Sequence, residues 1–350
     1  LKMVDEVVVI GYGTQSRKTL TTSISKIDGD KLYGAPVSTV GDALKGKVAG
    51  LRVATNSSLS GEAPRFLIRG GSSINMGNDP IYIVDGALRD DLSGVNPNDI
   101  ESMEVLKDAS SAAIYGSRGS NGVILITTKK GKSETIQVTY DGYYGIEQVS
   151  KKIDLMNAYQ YAQVSKEAHD AAYLDQYPGG TAPNGDRPES YMNYPVELVP
   201  YLNGEPGLTD TDWQDALFSN AGIMRHNVSV TGGSKAIKYM ASLGYMDQDG
   251  IIAPSNHNRI NARLNLDAQI SKRFSVSLSY SMYDARNRVV QAEGRMINDG
   301  VIQSALMYLP NLPAYEENGD YARSAMIKMK TEWGMNFPEN PLVIAHELDI

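Results

Sequence analysis

The segment Asp5-Glu6-Val7-Val8-Val9-Ile10-Gly11-Tyr12-Gly13 has the outline of a dinucleotide site, an apolar strand running into Gly-x-Gly. Such a site needs a helix N-terminus behind the glycines to hold a pyrophosphate. Here the third fingerprint position is Ser16, and the β-branched Thr19, Thr21, Thr22 and Ile24 that follow oppose a helix. Asp210, Asp212 and Asp215 cluster three carboxylates, but the glycine and terminal glutamate of a calcium loop are missing. His169, His226, His257 and His346 are isolated, without HExxH or comparable spacing, and there are no cysteines. No nucleophile stands beside a base. These residues predict no enzyme, no cofactor and no metal.

The bulk properties narrow the classes further. The 350 residues suffice for two domains. Mean hydropathy is −0.31, and no stretch reaches the about 18 consecutive apolar residues of a membrane-spanning helix. Membrane strands remain open, because they alternate and average out as mildly polar. A net charge of −8 with no basic stripe argues against nucleic acid. Tyrosine outnumbers phenylalanine 21 to 4, which fits the interfacial girdles of a barrel and also sugar-binding surfaces. No secretion signal is read after Leu1, and the sequence stops at Ile350 inside an apparent loop.

The second half carries alternation of period two. Ile260, Ala262, Leu264, Leu266, Ala268 and Ile270 oppose Asn261, Arg263, Asn265, Asp267 and Gln269. Phe274, Val276, Leu278, Tyr280 and Met282 oppose Ser275, Ser277, Ser279, Ser281 and Tyr283. Each run has one apolar and one polar face, and is close to the roughly 9–11 residues of a tilted membrane strand. Ile136–Glu147, Asn227–Thr231 and Ile237–Met246 behave alike, with Met240 and Met246 blurring the third. A soluble sandwich also alternates. The connections favour the barrel: they run long (Gln148–Arg225), tight (Gly232–Ala236), medium (Gln248–Asn258), tight (Ser271–Arg273), then long from Asp284. In an up-and-down sheet the tight turns share one end, as periplasmic turns do.

Between Arg65 and Lys130 the chain reads RFLIRGGSSINMGNDPIYIVDG and then NPNDIESMEVLKDASSAAIYGSRGSNGVILITTKK. Short β-runs (Phe66–Arg69, Ile81–Val84, Met103–Lys107, Val123–Thr128) alternate with Gly-rich turns. One short helix, Ser110–Tyr115, has Asp108 as its cap and Gly116 as its stop. Upstream, Asp42–Val48 reads as another short helix closing near Gly50. This order of pieces resembles the plug domain of the SusC/RagA-type TonB-dependent outer-membrane transporters. DLMNAYQYA (Asp154–Ala162), TDWQDALF (Thr211–Phe218), HNVSVTGGS and YMASLGYMDQDGII look like the first barrel segments of the same family.

The resemblance implies an α+β plug domain followed by the start of an antiparallel up-and-down transmembrane β-barrel. About five strands are present, where such transporters have roughly 22. Residues 1–13 would be a TonB box segment, 14–132 the plug and 133–350 the barrel portion with long extracellular loops. It further implies the outer membrane of a Gram-negative cell and energy from TonB in its TonB–ExbB–ExbD complex. A SusD-like surface lipoprotein would act as lid, with a glycan oligomer as cargo and an oligopeptide second. The alternative is an outer-membrane receptor or signal transducer that binds ligand without importing it.

On this reading Glu6, Val7, Val8, Val9 and Ile10 add as a strand to TonB's sheet edge, unless they form a structural strand against the plug. If the plug strands are antiparallel neighbours, Asn56–Pro64 and Leu88–Val95 share an end and Gly71–Pro80 takes the other. Asn56, Ser57, Ser58, Asp90 and Asp91 then face cargo, or merely solvate turn tips. Arg65, Arg69 and Arg118 are expected to pair with acids of the barrel wall. Asn157–Ala172 has helical spacing, and Tyr177–Pro206 reads as an external loop. Tyr191, Tyr194, Tyr201 and Trp213 are candidates for stacking on sugars or for interfacial packing.

Overall fold

The computed structural model describes residues 7–10, 13–16, 24–31, 39–54, 64–68, 78–108, 112–132, 135–290, 300–323 and 339–346. The chain forms two compact units, Leu1–Ile146 with Gly222–Asp249 and Asn256–Arg288, and Glu147–Ala221 with Gly250–Ser255 and Val289–Ile350.

In the first unit, β1 (Val7–Ile10) pairs antiparallel with β2 (Gly13–Ser16). After β3 (Ile24–Asp28) comes the short helix α1 (Val40–Leu44). Thr39 caps α1, its hydroxyl accepting from the Asp42 amide at 3.1 Å, so the helix starts earlier than expected and ends at Leu44. β4 (Leu51–Ala54) and β5 (Arg65–Ile68) form a hairpin of their own. β6 (Ile81–Val84), β7 (Ala87–Arg89), β8 (Ile100–Leu106) and β9 (Val123–Thr128) complete a five-stranded sheet in the order β3-β8-β9-β6-β7. Its centre, β8 and β9, is buried; β9 opens with the apolar run Val123–Ile126, and β8 buries Ile100, Met103, Val105 and Leu106 together with Ser102 and Glu104. β6 runs parallel to β9, in register from Ile81↔Val123 to Val84↔Ile126. Leu44, Phe66, Ile68, Tyr82, Met103 and Ile126 belong to one core that joins helix, hairpin and sheet.

Two expectations need correction. β5 and β6 are not neighbours, so the sorting of plug loops to opposite ends loses its premise. The helical path does break at Gly116 (φ 63°), but 3-10 turns span Ala113–Asn121 and close at Gly122.

The alternating runs form a second five-stranded sheet. It contains β10 (Gln137–Glu147), β11 (Ala221–Gly233), β12 (Ile237–Asp249), β13 (Asn256–Ser271) and β14 (Phe274–Arg288), paired in chain order. This is an open up-and-down sheet, an incomplete barrel. The medium connection shrinks to Gly250–Ser255 because both flanking strands run on past their alternating cores.

The second unit is helical. α2 (Ala158–Gln176) is longer than its sequence spacing indicated and opens with a capping box of Asn157 and Gln160. α3 (Val199–Leu202), α4 (Trp213–Leu217), α5 (Val301–Met307) and α6 (Pro341–His346) follow. The expected external loop is packed: Arg187 donates to Met192 O at 2.7 Å and to Asp170 at 2.5 Å, and lies over the Tyr173 ring.

Candidate functional site

The barrel strands invert the burial of a soluble sheet. Their apolar face is exposed: Val138 is 66% accessible, Leu243 57%, Leu264 39% and Leu278 49%. On β11 to β13 the polar face is buried, with Asn227, Ser242, Arg259, Asn261, Arg263 and Asn265 all below 9%. The polar side chains are buried because the plug lies against them. Met240 and Met246, ambiguous in the sequence, also point inward and are fully covered.

Named bonds make this seam. Asn96 donates to Asn227 at 2.7 Å and Asn98 to Asp141 at 3.1 Å; Arg225 donates to the same carboxylate at 3.1 Å. Arg259 donates to the Ser93 carbonyl at 3.1 Å. Asn265 donates to Lys129 O at 2.7 Å and to Thr128 Oγ1 at 3.1 Å, and accepts from Ser279. At Gly94, where plug and wall lie close together, a Cβ would collide with the Tyr283 ring.

The most concentrated node is the β6–β7 turn. Asp85 (φ 49°) and Gly86 (φ 86°) both adopt positive φ, the geometry of a two-residue type I′ hairpin. The Asp85 carboxylate accepts from the Thr128 amide at 2.9 Å and hydroxyl at 2.7 Å, and is ion-paired to Arg263 of the wall. Sequence reasoning missed this residue, although Val84-Asp85-Gly86-Ala87 carries the Asp-Gly hairpin signal. Close by, Asp99 is 3% exposed; burial raises its pKa, against the influence of Ser242, Arg263 and Lys129. Burial likewise pushes the Tyr82 hydroxyl well above its usual range, with Asp79 and Asp91 adding to the shift.

The ion pair of wall Arg263 with plug Asp85 runs opposite to the expected direction of charge pairing. Arg65 contacts Asp79 within the plug at 3.8 Å, Arg118 is exposed, and Arg69 lies outside the described residues. Wall arginines reach for plug acids and carbonyls instead. Asp90 and Asp91 are exposed and line a cavity of about 240 Å³ with Asp79, His257, Arg259 and Asn287. Asp79, from the Gly71–Pro80 loop expected at the opposite end, lines this cavity with Asp90 and Asp91. Asn56, Ser57, Ser58 and Glu6 lie outside the described residues, whereas Val7–Ile10 form β1.

In the second unit two of the three clustered aspartates bond the N-termini of helices, and Asp215 is ion-paired to Lys152. Asp212 accepts from the Gln214 and Asp215 amides and Asp210 from the Ala158 amide. Among the described residues no group of metal-ligating side chains occurs. Trp213 is 3% exposed, donates to Leu309 O at 3.0 Å and packs edge-on to Tyr308, so its ring is unavailable for sugar stacking. Tyr201 is buried too, while Tyr191 remains exposed.

A mixed-sheet domain held by polar bonds inside a wall that turns its apolar side outward defines a plugged membrane β-barrel. Residues 16–123 match the family model of the TonB-dependent Receptor Plug Domain. The chain is 35% identical over 331 residues to the TonB-dependent receptor SusC of Bacteroides thetaiotaomicron, covering 91% of this chain and 30% of that one. It is 35% identical over 325 residues to the TonB-dependent receptor P26 of Formosa agariphila, with the same coverage. Among solved structures it superposes on the RagAB peptide importer in its closed-closed state with a TM-score of 0.69 at 32% identity. That match covers 87% of this chain and 35% of the other. The chain thus belongs to the SusC/RagA-type TonB-dependent receptors and spans about 30% of the length of the curated relatives it matches.

Proposed function

We propose that the full protein imports a nutrient oligomer across the outer membrane of a Gram-negative cell, driven by TonB and lidded by a SusD-like lipoprotein. The observation that carries this reading is the polar seam. Each neutral bond in it is worth about 0.5–1.5 kcal/mol net and each charged one about 1.5–3. Water can replace them one at a time, so the plug is seated firmly yet can be shifted stepwise by a pull. An apolar seam would have to expose its whole surface to water instead.

The proposed division is a TonB box at 1–13, a plug at 14–132 and barrel strands with external loops from 133 to 350. Glu6, Val7, Val8, Val9 and Ile10 take the pull; the extended state of β1 is the one strand addition requires. Asn56, Ser57, Ser58, Asp90 and Asp91 face cargo, and the exposure of Asp90 and Asp91 beside a cavity supports their share. The cargo is a glycan oligomer or an oligopeptide; the likeness to the RagAB peptide importer supports the latter.

The test uses the full-length protein purified from detergent-solubilised outer membranes. A lipoprotein in stoichiometric amount, and capture by TonB's periplasmic domain that Val8→Pro abolishes without reducing barrel assembly, are expected. Recovery in the soluble fraction would overturn the importer reading; capture that survives Val8→Pro would remove the box assignment alone.

A further inference from the structure

The tight-turn end of the barrel sheet has a charge character that the chain as a whole lacks. The turn between β11 and β12 carries Lys235, and that between β13 and β14 carries Lys272 and Arg273. β12 pairs with β13 in register from Ile237↔Ala268, which brings both turns to one rim. All three cations are exposed, and none has an ion-pair partner among the described residues. The nearest acid along these strands, Asp267, points to the polar face, where it accepts from Ser277 at 2.6 Å. At the other end of the same strands Asp247, Asp249 and Asp284 mix with Arg286 and Arg288, and Arg286 pairs with Asp284 at 3.5 Å. In a chain of net charge −8, two tight turns that carry three cations and no acid are not a matter of composition.

The rim adjoins apolar surface directly. Ile237, Ile270 and Phe274 stand on the outward face at 48%, 65% and 56% exposure, immediately beside Lys235, Lys272 and Arg273. A long cationic side chain next to an apolar band can lay its stem along that band and place its charge at headgroup level. Anionic headgroups gain from such charges while zwitterionic ones gain little.

We propose that this rim is a docking belt for anionic phospholipid headgroups of the leaflet that meets the tight turns. The inference rests on the outer-membrane reading and adds to it a lipid partner chosen by charge. Lys235, Lys272 and Arg273 hold the phosphates, and Ile237, Ile270 and Phe274 set the depth. A solvated turn end would need no such pairing of cations with exposed aliphatic and aromatic side chains.

The experiment reconstitutes the full-length protein into vesicles of equal parts phosphatidylcholine and phosphatidylglycerol, re-extracts it gently and quantifies the retained lipid. Wild-type protein should retain phosphatidylglycerol above its bulk share, each cation contributing up to about fivefold. The triple variant Lys235→Gln, Lys272→Gln, Arg273→Gln should return to the bulk ratio. High salt should do the same to the wild type, whereas Lys151→Gln, exposed in the second unit, should not. Should the triple variant fail to assemble, the single variants carry the test: partial losses support the belt and unchanged retention overturns it. Equal retention by wild type and triple variant also overturns it, with the outer-membrane reading intact. A wild type that does not enter the vesicles would instead overturn the membrane reading itself.

Discussion

At the scale of single residues, the seam places a carboxyl where ionisation is unfavourable. Asp99 ends the 3-10 turn Pro97–Asp99 and is buried immediately before β8. Burial raises its pKa, with Ser242, Arg263 and Lys129 opposing the shift only in part. The folded state therefore binds this proton more tightly than the unfolded chain, whose carboxyl titrates near 3.9. Below that value Asp99 is protonated in both states and its contribution is fully present. As pH rises from about 3.9 through the raised value, folding must hold off an ionisation that the unfolded chain accepts, and stability falls. Asp99→Asn should remove this decline while keeping the shape. Melting temperatures of full-length protein across pH test it: wild type should lose ground to the variant as pH rises, and parallel curves would contradict the assignment.

At the scale of elements, the β6–β7 hairpin is one of the plug's holds on the wall. Its turn combines a backbone requirement, positive φ at Asp85, with a charge requirement, the ion pair to Arg263. Two substitutions separate them. Asparagine tolerates positive φ but leaves the Arg263 side chain, 7% exposed, without its counter-charge; for buried pairs that costs of order 3 kcal/mol. Alanine adds about 1 kcal/mol or more of backbone strain. Amide exchange at Thr128, whose N–H the Asp85 carboxylate accepts, should therefore quicken in the order wild type, Asp85→Asn, Asp85→Ala. Unchanged protection in Asp85→Ala would show that the hairpin is not a hold. All five barrel strands were legible because an apolar surrounding on one face and a polar one on the other impose period two, and α2 was legible from its spacing. The parallel register of β6 on β9 was not, because residues some forty positions apart leave no local pattern. The reversed charge pairing was not legible either: a sequence shows that Arg65 and Arg263 are charged, but not which of them the fold turns inward.

For the molecule as a whole, the inverted burial gives the two faces of one strand different failures. Leu266 and Val276 lie on the apolar, outward face, where an arginine near the bilayer midplane costs about 2–4 kcal/mol. Asn265 lies on the opposite face, where the alternation alone would lead one to expect a watery lumen tolerant of charge. The structure corrects that expectation: Asn265 is 4% exposed and bonded to Thr128, Lys129 and Ser279, so an arginine there would displace the plug. Ser275 is on the same face but exposed, and should accept the change. In full-length protein, Leu266→Arg and Val276→Arg should lower the fraction assembled into outer membranes while leaving any assembled plug protease-resistant. Asn265→Arg should assemble normally but yield a plug cleaved faster at limiting protease, and Ser275→Arg should do neither. Membrane assembly and plug protection would then separate across side chains one residue apart, which a soluble sandwich, with a single solvent and no plug, has no means to produce. If all four variants moved both readouts together, the wall would not be a boundary between lipid and plug.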